Sequence, residues 1–145
     1  MDWISWWCAV LLAAPFAVAP DDPAAALLHG LDGVRAEAFR TGDASVLKSV
    51  YPERSELLEA DTRLLRTYTD RGMTLRGGRI ELLATDVVRH DRSEVVLDVV
   101  ERLGPTRVVL DGGGTRVLPR DLPSRRRVTL RDTAEGWRIV AVRAS

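Results

Sequence analysis

Near Leu75 the spacing of apolar residues changes from every third or fourth position to every second. That switch restricts the chain to a domain in which helices come first and antiparallel strands follow. Before it, Asp22-Pro23 reads as an N-cap with proline at the first helical position, and Leu27, Leu28, Leu31, Val34, Ala38 and Phe39 recur at helical spacing. Gly30 and Gly33 interrupt this helix at about 1 kcal/mol each relative to alanine, which predicts close packing against a sheet or fraying at its start. Thr41-Gly42-Asp43 ends it and caps a short second helix over 44–50, stopped by Tyr51-Pro52. Ser55 caps a third helix with Leu57, Leu58, Leu64, Leu65 and Tyr68 on one face and Gly72 as its left-handed terminus.

After the switch, residues 80–88 and 94–103 alternate around the polar turn His90-Asp91-Arg92-Ser93 and read as a hairpin. Segments 107–110 and 116–118 flank Asp111-Gly112-Gly113-Gly114, and 128–131 and 137–142 flank Thr133-Ala134-Glu135-Gly136. The order of a long helix ending Ala38-Phe39-Arg40-Thr41-Gly42-Asp43, a short helix closing at Val50-Tyr51, a third helix around Asp61 and strands ending Gly136-Trp137-Arg138-Ile139 resembles the nuclear transport factor 2-like superfamily. That superfamily holds ketosteroid isomerases, polyketide cyclases and many non-catalytic domains, some anchored outside bacterial membranes. The resemblance covers about residues 22–143. It implies an α+β cone: N-terminal helices packed in the concavity of a curved antiparallel sheet, with a pocket at the open end.

Residues 3–19 form a run of 17 without a charge, at the short end of the roughly 17 to 25 needed to cross a hydrocarbon core as a helix. Trp3, Trp6 and Trp7 cluster at one end at helical spacing, as expected for rings at a membrane interface. The expected division is a membrane anchor or uncleaved signal-like segment over 1–20 and one domain over 21–145. The domain is expected to be extracytoplasmic, or secreted if the segment is cleaved. A signal peptide lacks its positive n-region here, since Asp2 precedes the run and Arg35 is the first arginine, and Pro20 follows the best cleavage site, Ala17-Val18-Ala19. Cys8 behind Trp6 and Trp7 does not fit a lipoprotein site. A buried first helix of the domain is the alternative.

Composition narrows the chemistry. The basic residues are 20 Arg and one Lys, and Asn and Gln are absent, so no N-glycosylation acceptor exists and no amide serves a cap or an oxyanion. Residues 1–72 carry 7 basic and 11 acidic side chains and 73–145 carry 14 and 10, too mild an asymmetry for a nucleic-acid partner. One cysteine allows no internal disulfide, and His29 and His90 alone do not make a metal site, so no metal and no cofactor are expected. Gly112-Gly113-Gly114 lacks the helix and the Gly-Lys-Ser/Thr of a phosphate cradle and reads as a turn.

Isomerase-like chemistry in the resembled superfamily relies on a carboxylate base and acidic donors in an apolar pocket. By type the candidates are Tyr51, Tyr68, Asp43, Asp98 and Glu101, with Asp98 and Tyr51 foremost as weak catalytic candidates. Val96, Asp98 and Val100 share one side of their strand, so Asp98 either faces a pocket or pairs with an arginine on a neighbouring strand. Tyr51, Tyr68, Asp98 and Trp137 are the expected pocket residues. The run Arg125-Arg126-Arg127 behind Arg120 reads as a solvated loop guarding a sheet edge, or as a contact for anionic lipid headgroups. The leading expectation is a membrane-tethered, non-catalytic domain that binds a small apolar ligand or a protein partner. The alternative is a ketosteroid-isomerase- or polyketide-cyclase-like enzyme acting on a hydrophobic carbonyl compound, and a third reading is a homodimer formed through the sheet.

Overall fold

The computed structural model describes residues 22–145. The segment 3–19 with Trp3, Trp6 and Trp7, and with it the division at residue 20, lies outside the described residues. Within them no helix is long and apolar enough to cross a membrane.

Three helical elements come first. Helix α1 spans Pro23–Thr41; the Asp22 carboxylate accepts from Ala24 N and Ala25 N, and Gly42 at φ 74° closes the far end by donating to Ala38 O. A 3-10 helix, Ala44–Ser49, follows behind the Asp43 cap, and α2, Glu56–Asp70, starts on Ser55 and ends before Gly72 at φ 66°. Seven strands complete the order: β1 Met73–Gly77, β2 Ile80–His90, β3 Glu94–Leu103, β4 Thr106–Leu110, β5 Thr115–Val117, β6 Ser124–Thr133 and β7 Gly136–Ala144. All pairings are antiparallel, in a three-stranded sheet ordered β1-β4-β5 and a four-stranded sheet ordered β2-β3-β6-β7.

The two sheets are halves of one bent ladder. Gly77 faces Thr106 and Ile80 faces Leu103, so the register continues unchanged across the break between β1 and β2 on one side and β3 and β4 on the other. The bend lies at Gly77-Gly78 against Gly104-Pro105, where Gly104 N donates to Arg79 O at 2.8 Å. Gly77 has φ 80°, and a Cβ there would sit 2.2 Å from the Pro105 carbonyl oxygen, so only glycine lets the two chains approach and turn. The bend makes the sheet concave.

The concavity holds the helices. Val95, Leu97 and Val99 of β3, Val128 and Leu130 of β6 and Ile139 of β7 meet Leu28, Ala38 and Phe39 of α1, Leu47, Val50 and Leu65 in one buried cluster. Strand parity sends Val96, Asp98 and Val100 to the opposite, outer face. The far edge, β7, is tied to the helical layer by Ile139 N donating to Val50 O at 2.8 Å.

The α+β order expected from the periodicity is the order observed, with three differences. Strand β1 and its pairing with β4 were not read from the sequence, because five residues ending in Gly-Gly give too short an alternation. Leu64 is exposed, not part of the buried face of α2, since the sheet covers only the stripe through Leu65. Arg125-Arg126-Arg127 is not a loop: it lies inside β6, paired to β3 on one side and continuing to β7 on the other.

Candidate functional site

A cavity of about 220 Å³ lies between α1, α2 and the inner face of the four-stranded sheet. Its hydrocarbon wall comes from Leu28, Leu57, Ile80, Leu82, Val128, Ile139 and Val142; its polar wall comes from His29, Asp32, Arg35, Tyr51, Glu101 and Arg126. The size is below the 300–1,000 Å³ usual for drug-sized ligands, so it suits a small molecule.

Helical spacing places the polar wall on α1. His29, Asp32 and Arg35 lie on the stripe that also carries Leu28 and Phe39, three or four residues apart. Asp32 is 6% exposed and one of its oxygens, Oδ2, accepts from Ile80 N at 2.7 Å, where the bend has freed that amide from the ladder. Among the described residues Oδ1 accepts no hydrogen bond, and Asp32 forms part of the cavity wall. Burial holds the Asp32 carboxyl above the usual carboxylate range, against the opposing pull of the Ile80 amide and Arg35.

Glu101 shares the inner parity of Val95, Leu97 and Val99 and enters the cavity from β3. Burial raises its pKa as well, and Asp32 adds to the rise. Arg126, half-exposed on β6, sits 3.3 Å from Glu101 at the rim. Arg35 is held from behind: its Nε and Nη2 donate to the two oxygens of Asp61 on α2 at 2.5 and 2.9 Å, and its guanidinium lies 5.0 Å from the Phe39 ring centre. The Tyr51 hydroxyl donates to Asp61 Oδ2 at 2.7 Å, so this donor is already committed, and burial drives its pKa upward.

The sequence-predicted pocket residues separate. Tyr51 lines the cavity. Tyr68 instead packs edge-on against Phe39, ring centres 6.4 Å apart, outside the cavity wall. Trp137 stands at the start of β7 opposite Asp132 and packs on the periphery of the core. Asp98 faces outward, and Arg127 donates to it at 2.7 and 2.9 Å, which lowers its pKa. Strand parity puts it on the face opposite Tyr51, where with Ala84, Thr85, Asp86 and Arg125 it borders a separate depression on the outer face. Asp43 serves as a cap. His90 is the exposed end of β2, and among the described residues no group of side chains is arranged to hold a metal ion.

Asp32 and Arg35 were missed in the sequence, although a signal existed: two charges sit on the apolar stripe of α1 where leucines are expected. Glu101 was named by type alone, and Arg126 only as part of a charge run whose alternation about β6 sends it inward and its neighbours outward.

No family model matches the chain, and no curated protein sequence matches it. Solved structures do. The intermembrane-space region of the chloroplast protein ARC6 is 15% identical with a TM-score of 0.58, the match covering 87% of this chain and 98% of that one. A Xanthomonas campestris protein assigned as a calcium/calmodulin dependent protein kinase II association domain is 15% identical with a TM-score of 0.52, covering 87% and 89%. A nuclear transport factor 2-like superfamily protein from Salmonella enterica is 15% identical with a TM-score of 0.47, covering 82% and 87%. The α+β fold, with helices on the concave side of a curved antiparallel sheet, is shared with the first two of these structures. At these identities the likeness is one of fold alone, and the cavity described above occupies the concave side of that sheet.

Proposed function

We propose that this domain binds a small, largely apolar molecule in the cavity between α1 and the inner sheet face, without transforming it, while residues 3–19 tether it to a membrane with the domain outside the cytoplasm. The carrying observation is a concave, mostly aliphatic space with a few convergent polar groups from α1 and the sheet, the usual form of a small-molecule site. The tether rests on the uncharged run and its tryptophans.

Two measurements test this. The full chain is heated with a panel of monocyclic alcohols, ketones and amines. Saturation a hundredfold above Kd stabilises by about 2.7 kcal/mol, a rise of about 8 °C at roughly 3 °C per kcal/mol for a domain of this size. The cavity-filling variant Val142→Phe should lose that rise while unfolding cooperatively. A panel in which no compound shifts either protein sinks the binding reading. Cell fractionation with protease applied from outside tests the tether: chain in the soluble cytoplasmic fraction refutes it.

One observation favours a second reading, an enzyme acting on a hydrophobic carbonyl compound. Asp32 and Glu101, both raised in pKa, share an apolar cavity with Tyr51, the setting in which a carboxyl group moves protons near neutral pH. The commitment of the Tyr51 hydroxyl to Asp61 counts against it as an oxyanion donor. Exchange of the α-protons of a bound cyclic ketone into heavy water, abolished in Asp32→Asn, would decide for the enzyme.

A further inference from the structure

One carboxylate on the cavity wall has no ion-pair partner among the described residues. Arg35 is neutralised by Asp61, which takes two of its nitrogens. Arg126 and Glu101 offset one another across 3.3 Å at the rim. Arg79, the remaining nearby cation, is exposed, bound to the His29 carbonyl at 3.0 Å over Gly33, and does not line the cavity. That leaves Asp32: buried, part of the cavity wall, without an ion pair among the described residues, and hydrogen-bonded there through one oxygen to one backbone amide. An isolated carboxylate in apolar surroundings is costly unless something brings it a positive charge.

We propose that the cavity takes a small hydrophobic amine, bound as its ammonium, with the nitrogen donating to Asp32 and Glu101 and the hydrocarbon body against Leu28, Leu57 and Val142. This rests on the binding reading above and adds the class of ligand. A cation supplies Asp32 with the ion-pair partner it lacks, and an ammonium's three donors can serve two carboxylates at once. The volume, about 220 Å³, holds roughly seven water-sized groups at about 30 Å³ each, enough for one six-membered ring with a short amine arm. Burial holds both carboxyl groups above their usual range, against the opposing pull of Arg35 on Asp32 and of Arg126 on Glu101. A neutral ligand leaves Asp32 without an ion pair, and an anion adds repulsion.

Calorimetric titration of the full chain with benzylamine, benzyl alcohol and benzoate separates these cases, run at about pH 8, where the amine is still protonated. The expected result is benzylamine binding about tenfold or more tightly than benzyl alcohol, with benzoate weakest. Asp32→Asn and Glu101→Gln should each shrink that preference to about threefold or less; should Asp32→Asn fail to fold, Glu101→Gln carries the comparison. Equal binding of amine and alcohol, or tightest binding of benzoate, overturns the amine while leaving the cavity as a binding site. Absence of binding by all three, with Val142→Phe indistinguishable from the parent, overturns both.

Discussion

Removing the Asp61 carboxylate exposes how much of this fold hangs on a single polar junction. Asp61 on α2 receives Arg35 Nε at 2.5 Å, Arg35 Nη2 at 2.9 Å and the Tyr51 hydroxyl at 2.7 Å, so one side chain joins α1, the segment after the 3-10 helix, and α2. The pair is mostly dry, with side chains 23% and 13% exposed. Breaking a buried pair by deleting one partner costs about 3–5 kcal/mol, and the residual exposure of Arg35 places Asp61→Ala near the lower end, about 3 kcal/mol. At roughly 3 °C per kcal/mol, the unfolding midpoint should fall by about 10 °C. Followed by circular dichroism, the double variant Arg35→Met/Asp61→Ala should recover most of the loss, because no unpaired guanidinium is then buried. A fall under about 3 °C for the single variant, or strictly additive losses in the double, would refute the claim that the cost lies in a stranded buried charge.

The glycines separate by position: Gly77→Ala should cost on the order of 2 kcal/mol or more in urea unfolding, since its Cβ meets the Pro105 carbonyl oxygen at a positive φ. Gly30→Ala, with nothing within 4 Å of the new carbon, should stabilise by about 1 kcal/mol. Asp98→Ala removes an exposed pair and should leave both ligand binding and the unfolding midpoint nearly unchanged, whereas Tyr51→Phe should cost about 1 kcal/mol for a lost buried hydrogen bond. Asp32 also sets a pH dependence. Its folded pKa lies above the unfolded value of 3.8, so the unfolded chain ionises first and stability falls as pH rises from there through the folded value. Asp32→Asn should therefore gain on the parent as pH is raised through that window, and a difference independent of pH in denaturant titrations would contradict the assignment.

Much of the architecture could be read from residue order because local physics dictated it. The Asp22, Asp43 and Ser55 caps, the Gly42 and Gly72 terminators and the turns at 91–93, 111–114 and 134–135 each depend on neighbours within four residues, and all occur where the spacing placed them. The candidate site was not legible in the same way. Asp98 between two valines looked like a pocket carboxylate, yet alternation alone does not say which face of a strand turns inward. The bent sheet chose Val95, Leu97, Val99 and Glu101 for the interior and left Asp98 to pair with Arg127.

By itself, then, the sequence determined the succession of helices and hairpins, their ends and their antiparallel sense, because period, caps and turn residues act over a few positions at a time. Tertiary structure alone decided that Gly77-Gly78 folds one ladder into two sheets, that Ile80 presents its amide to Asp32, and that Glu101 and Arg126 meet α1 across a cavity. Those outcomes depend on contacts between residues about 20 to 110 positions apart, where burial and charge are settled only once the concave face has closed over the helices.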